Sequence, residues 1–169
     1  MSLDARAVAN LILDNFESAK FSISNMKINK LVYFSHGFCL SRLGKPLVRN
    51  HFEAWQYGPV VRVLYESFKS FDAMPIETRA NAFDYLSQQE LPVNYSMIEP
   101  DQRELTLKVC GYFVNDSAER LSNISHHEDG PWASVWNTPK EARGMRDRIP
   151  NEIIREHFDK VWGKLSSTH

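Results

Sequence analysis

The stretch from Ser24 to Gly44 constrains the fold most. Ile28, Leu31, Val32, Phe38 and Cys39 recur at helical spacing and spread apolar side chains over a wide arc. Such a helix has to be wrapped by others, so it is expected to be the central, most buried element. Ser24 is a suitable N-cap, because its hydroxyl can accept one of the free backbone N–H groups. Gly44-Lys45-Pro46 is a proper stop signal. The chain has 169 residues, close to one domain at ~150 residues per domain, and enough to bury a core without staples.

The remaining segments supply the wrapping. Val8, Leu11, Ile12 and Phe16 mark an amphipathic helix from about Asp4 to Ser18. Phe52–Trp55 alternates as a short strand. Tyr57-Gly58-Pro59 reads as a turn, with Pro59 opening a third helix that carries Val60, Val61, Leu64, Tyr65, Phe68 and Phe71. Ala80–Gln88 suits a short helix, and Pro92–Ile98 a loop or a strand paired with 52–55. Pro100 and Asp101 open a helix bearing Leu105, Val109, Cys110 and Phe113. Asp116–Glu119 resembles a capping box ahead of Leu121 and Ile124. A polar segment with Arg143, Arg146 and Arg148 leads to a last helix from Pro150, striped by Ile154, Phe158, Val161, Trp162 and Leu165. The expected fold is mainly α, about six helices with a minor short β-hairpin or small sheet. It forms a single domain over residues 1–169, with its core at about 4–165.

Charge and cysteine usage narrow the function classes. Hydrophobic residues make up 43% and charged residues 24%, which excludes a disordered or fibrous chain. The net charge of −1 disfavours a globally basic nucleic-acid binder. Locally the charge is uneven. Residues 21–52 hold Lys27, Lys30, Arg42, Lys45 and Arg49 and no acid, whereas 72–104 hold seven acids against Arg79 and Arg103. Two solvated faces would explain this, and so would a steering surface for a charged partner. Cys39 and Cys110 stand alone in apolar runs, without a CxxC pair, and read as reduced core thiols. No long apolar stretch suggests a membrane span, and the N-terminus lacks the pattern of a signal peptide. A reducing cytoplasm is the expected compartment.

The densest polar cluster is His126-His127-Glu128-Asp129. Imidazoles and carboxylates ligate metals and move protons. Adjacent histidines diverge on a helix, however, unlike the i, i+4 pair of HExxH. A metal would need ligands from elsewhere, such as His36 or His51. The alternatives are a helix end tied to a loop, or a partner contact. GxSxG, Walker A and GxGxxG motifs are missing, so no catalytic residue and no cofactor is assigned. Lys27, Asn29 and Lys30 on the 24–43 helix would suit a recognition helix, but the connection from Phe16 to Ser24 is too long for a helix-turn-helix. Trp55, Tyr57, Trp132, Trp136 and Trp162 are either core anchors or a protein-binding surface.

Three segments in order resemble one family. Asn25-Met26-Lys27-Ile28-Asn29-Lys30-Leu31-Val32-Tyr33-Phe34 is similar to its N-x-K-hydrophobic-x-K-L-hydrophobic-Y helix. Gly44-Lys45-Pro46-Leu47 followed by Phe52-Glu53-Ala54-Trp55-Gln56-Tyr57-Gly58-Pro59-Val60-Val61 is similar to its GKPL and FEAW-x-YGPV centre. Leu121-Ser122, Ser125-His126, Glu128 and Pro131-Trp132 complete the pattern. The chain resembles the Panacea domain family of SocA- and GepA-like antitoxins over about residues 4–165.

The resemblance implies an antitoxin, chromosomal or phage-borne, whose partner is a cognate toxin protein neutralised by direct contact. In one branch the protein acts instead as an adaptor that delivers its toxin to a ClpXP-type protease. Some relatives add a DNA-binding domain, which this chain is expected to lack, and neither nucleic acid nor membrane is expected as a partner. The family carries no established catalytic residues. Lys27, Lys30, Tyr33, Trp55, Tyr57, His126, Glu128 and Trp132 are the partner-contact candidates. Each also has a structural reading, in which Lys30 and Tyr33 pair with Glu53 or Glu128 inside the domain.

Overall fold

The computed structural model describes residues 2–143 and 147–163. Its hub is α3 (Asn25–Phe38), capped by Ser24, whose hydroxyl accepts the Lys27 N–H at 3.3 Å. Twelve of its 14 residues are buried. The helix passes into a π-helical turn, Cys39–Leu43, and stops at Gly44, whose φ of 69° favours a residue without a Cβ.

Around α3 pack α1 (Ala5–Asn15), α4 (Arg62–Phe68), α5 (Pro100–Phe113), α6 (Ala118–Ser125) and α8 (Asn151–Trp162). The two helices beyond the expected six are short: α2 (Ser18–Phe21) and α7 (Pro131–Trp136). The mainly α expectation holds. Aromatic rings fill the centre. Phe34 stacks on Phe113 at 4.6 Å, and Tyr33 meets Phe34, Phe52 and Phe158 edge-on. The α3–α8 contact is close enough that a Cβ on Gly37 would lie 2.3 Å from the Phe158 ring. Cys39 and Cys110 are buried and unlinked, and burial pushes both thiols up to about 12. His36 is a structural clamp. Its Nδ1 accepts the Leu47 and Val48 N–H groups, and Nε2 bonds the Asn151 side chain at 2.9 Å. That occupies both ring nitrogens, so His36 has none free for a metal.

The strands depart from expectation. Phe52–Trp55 is a strand (β1), but its neighbours are β2 (Gly58–Val60) and β5 (Arg148–Ile149), in the order β2-β1-β5. Pro59 therefore lies in a strand, and the third helix starts only at Arg62. Residues 80–88 are not helical. Asn81–Asp84 (β3) and Gln89–Pro92 (β4) form an antiparallel hairpin whose side chains are mostly exposed. Its root is held by the buried Asn10. The Asn10 amide donates to the Ala80 and Val93 carbonyls and accepts the Ala80 N–H. The cap of α6 is Ser117 rather than Asp116, which pairs instead with Arg120 at 3.1 Å. Arg146 and Leu165 lie outside the described residues.

Candidate functional site

The first half of α3, the β1–β2 turn, α4 and the start of α6 enclose a cleft of about 730 Å³. Lys27, Lys30, Trp55, Tyr57, Tyr65 and Lys69 are among the side chains that line it. The size falls within the range of small-ligand and side-chain pockets.

The polar positions of the α3 motif form the floor and tie it to its surroundings. The Asn25 amide donates to the Tyr65 carbonyl on α4 at 3.0 Å. Asn29 accepts the Val61 N–H at 3.0 Å. Lys27 Nζ reaches the carbonyls of Phe21 and Val114, at 2.5 and 2.6 Å. Burial lowers the Lys27 pKa, and the Asp116 charge opposes that. Lys30 is 0% exposed. Its Nζ donates to the Pro59 carbonyl at 3.1 Å, and no ion pair reaches it among the described residues. Desolvation brings its pKa down to about 7. Gly58 packs over it at φ 112°, where a Cβ would sit 2.7 Å from Lys30 Cε and 2.6 Å from Ser125 Oγ. Only glycine suits that backbone and that space. The reading of α3 as a DNA-recognition helix does not stand, because Lys27, Asn29 and Lys30 are all buried.

The aromatic wall stands on β1 and α4. Trp55 donates its indole N–H to Glu53 at 3.1 Å, meets Tyr65 edge-on at 4.9 Å, and carries the Arg62 guanidinium over its ring. Glu53 is buried and pairs with Arg62 at 3.2 Å, so the expected pairing of Lys30 or Tyr33 with Glu53 is not formed. Tyr57, at the tip of the turn, is 58% exposed. Its backbone is pinned by the Ser122 hydroxyl, which donates to its carbonyl at 2.6 Å.

The structure separates the other candidates. Tyr33 lies in the aromatic core, away from any surface. Trp132 is also buried. It donates its indole N–H to the Trp55 carbonyl at 2.6 Å and stacks between His126, at 4.0 Å, and Trp136, at 5.3 Å. His126 closes α6. Burial and the nearby Lys30 charge both lower its pKa, and its Nε2 is buried without a partner. His127, Glu128 and Asp129 are exposed. His127 faces His157 at 5.5 Å and accepts the Asp129 N–H. Among the described residues, no three His, Cys, Asp or Glu side chains gather as a metal site. Lys27, Lys30, Trp55 and Tyr57 thus meet on the cleft, with Trp132 tied to the Trp55 backbone. Glu128 stands elsewhere. Tyr65 and Lys69 are not site candidates in the sequence, because Tyr65 fits a helical core stripe and Lys69 an ordinary surface charge.

Comparison with known proteins agrees with the motif pattern. The family model described as "Antitoxin SocA-like, Panacea domain" matches residues 28–133, a span running from α3 through the cleft elements to α7. Antitoxin SocA of Caulobacter vibrioides (strain NA1000 / CB15N) is 38% identical over 157 residues, covering 93% of this chain and 83% of its own length. No solved structure matches. The chain belongs to the SocA-like antitoxin family, whose Panacea domain it carries.

Proposed function

We propose that this protein neutralises a cognate toxin by binding it directly, and that the cleft between α3, the β1–β2 turn and α4 is part of the contact. The observation that carries this reading is the exposed Tyr57 beside a cleft walled by Trp55 and Tyr65. Tyr and Trp are the residue types that anchor protein interfaces, because they bury a large area at small entropic cost. The turn that presents Tyr57 is pinned by Ser122 and by the β1–β2 ladder, so little ordering remains to be done on binding. The 38% identity to a named antitoxin supports the biological role. Its partner is a protein, and no helix among the described residues is long and apolar enough to cross a membrane.

The test is co-expression with the product of the neighbouring gene, following growth and complex formation together. Rescue of growth with a stable complex is the expected result. Rescue without a complex, accompanied by loss of the neighbour protein only when a ClpXP-type protease is present, would replace sequestration by delivery to proteolysis. Failure of both rescue and complex formation would overturn the antitoxin reading.

A further inference from the structure

The cleft floor holds two lysines that no carboxylate among the described residues pairs with. Lys27 and Lys30 are buried, and among the described residues the hydrogen bonds of both side chains go to backbone carbonyls: Phe21, Val114 and Pro59. An ammonium has three donors, and Lys30 Nζ spends one. Asp72 is the acid on the cleft lining, and it stands beside Lys69, which pairs with Glu66 at 2.5 Å. Asp116 acts on Lys27 through space only. Buried charges without counter-ions are costly to fold. Positive charge beneath apolar, low-dielectric walls focuses its field into the opening. Trp55, Tyr57, Val60 and Tyr65 provide those walls.

We propose that this cleft binds a carboxylate on an apolar stem, presented by the toxin as an acidic residue flanked by apolar ones. The proposal rests on the toxin-binding reading and gives that contact its chemistry. The entering carboxylate supplies the counter-charge that Lys27 and Lys30 lack and so favours the protonated form of Lys30, and its apolar neighbours cover Trp55 and Tyr57. An uncharged isostere of the same shape would keep the second gain and lose the first.

The test uses the whole protein and two blocked pentapeptides, acetyl-Leu-Glu-Phe-Glu-Leu-amide and its Gln counterpart, titrated while the Trp55 indole and the Tyr57 and Tyr65 amides are followed by NMR. The expected result is saturable shifts at these three residues, with the Glu peptide binding about tenfold or more tightly than the Gln peptide. Lys30→Met should abolish the discrimination while leaving the weaker, apolar binding. Tyr57→Ala, at an exposed position that leaves folding intact, should weaken both peptides alike. Equal binding of the two peptides, shifts confined to other surfaces, or no shift at all would overturn the proposal. The toxin pull-down is read separately. A toxin complex formed by a protein that does not tell Glu from Gln removes the carboxylate site and leaves the antitoxin reading. Peptide discrimination in a protein that binds no toxin removes the toxin as the occupant.

Discussion

The Lys30 ammonium donates to the Pro59 carbonyl at 3.1 Å, and this single bond joins the hub helix to the β1–β2 turn across the cleft floor. It is an expensive link. Lys30 is fully buried, with no carboxylate paired to it among the described residues, and desolvation brings its pKa from 10.5 to about 7. The unfolded chain therefore binds more protons than the folded one between these two values, so stability rises with pH across that interval. The slope is up to about 1.4 kcal/mol per pH unit. Thiol and phenol groups with raised pKa values, Cys39, Cys110 and Tyr33, act in the opposite sense above pH 9. The clean window is pH 7 to 8.5. Urea unfolding should give a midpoint that climbs through that window in the parent protein and climbs less steeply in Lys30→Met, where only the lowered Lys27 remains. At pH 6 the variant should be the more stable by about 1–3 kcal/mol. A midpoint that climbs equally in both would contradict the assignment.

Gly58→Ala tests the turn. The residue sits at φ 112°, and a Cβ there would meet Ser125 Oγ and Lys30 Cε at 2.6 and 2.7 Å. Backbone strain and overpacking together should cost about 2–5 kcal/mol, measured by denaturant titration. A loss below about 1 kcal/mol would mean that the turn has another accessible conformation.

Much of the architecture was legible because it follows from periodicity. The apolar arc of 28–39 identified α3 as the central helix, and Val8–Phe16 and Ile154–Trp162 marked two of its wrappings. The hairpin at 81–92 was not, because two four-residue strands with exposed polar faces carry no burial pattern, and a run such as Asn81–Gln88 fits a short helix as well. The β1–β5 pairing joins residues far apart in the chain, so local pattern cannot report it. The site was half visible. Lys27 and Lys30 stood out as charges, yet charge on a helix normally signals a solvated face. Their burial depends on carbonyls at Val114 and Pro59, which sequence spacing does not bring near them. Trp132 and Tyr33 carry both a contact and a structural reading in the sequence, and their burial fits the structural one.

Asn10 anchors the hairpin through three bonds to Ala80 and Val93. Asn10→Ala leaves the Ala80 N–H and the Val93 carbonyl without this partner, while the Ala80 carbonyl keeps the Val93 N–H at 3.0 Å, and should cost about 1–3 kcal/mol. The β3–β4 amides should lose hydrogen-exchange protection, while those of α3 follow global stability alone. Uniform loss of protection across both would show that the hairpin is not an independently held unit.

His36 sets an acid limit. Burial brings its pKa down to about 4, against the hydrogen bond that Nε2 donates to the Asn151 side-chain oxygen. The folded state holds the ring neutral, so stability falls as pH drops from 6.5 towards 4, by up to about 3 kcal/mol. His126 and His157, whose pKa values are also lowered, add to the same trend. His36→Gln should flatten the pH 4–6.5 slope measured by urea midpoint. A slope unchanged by the substitution would assign the acid sensitivity to other groups.

Direct contact is decided by calorimetric titration of the purified protein against the purified product of the neighbouring gene, with Tyr57→Ala run in parallel. A saturable one-site complex is expected, weakened at least about tenfold by Tyr57→Ala, with the variant's unfolding curve unchanged. Absence of binding under conditions where co-expression still protects cells from that product would contradict neutralisation by direct contact.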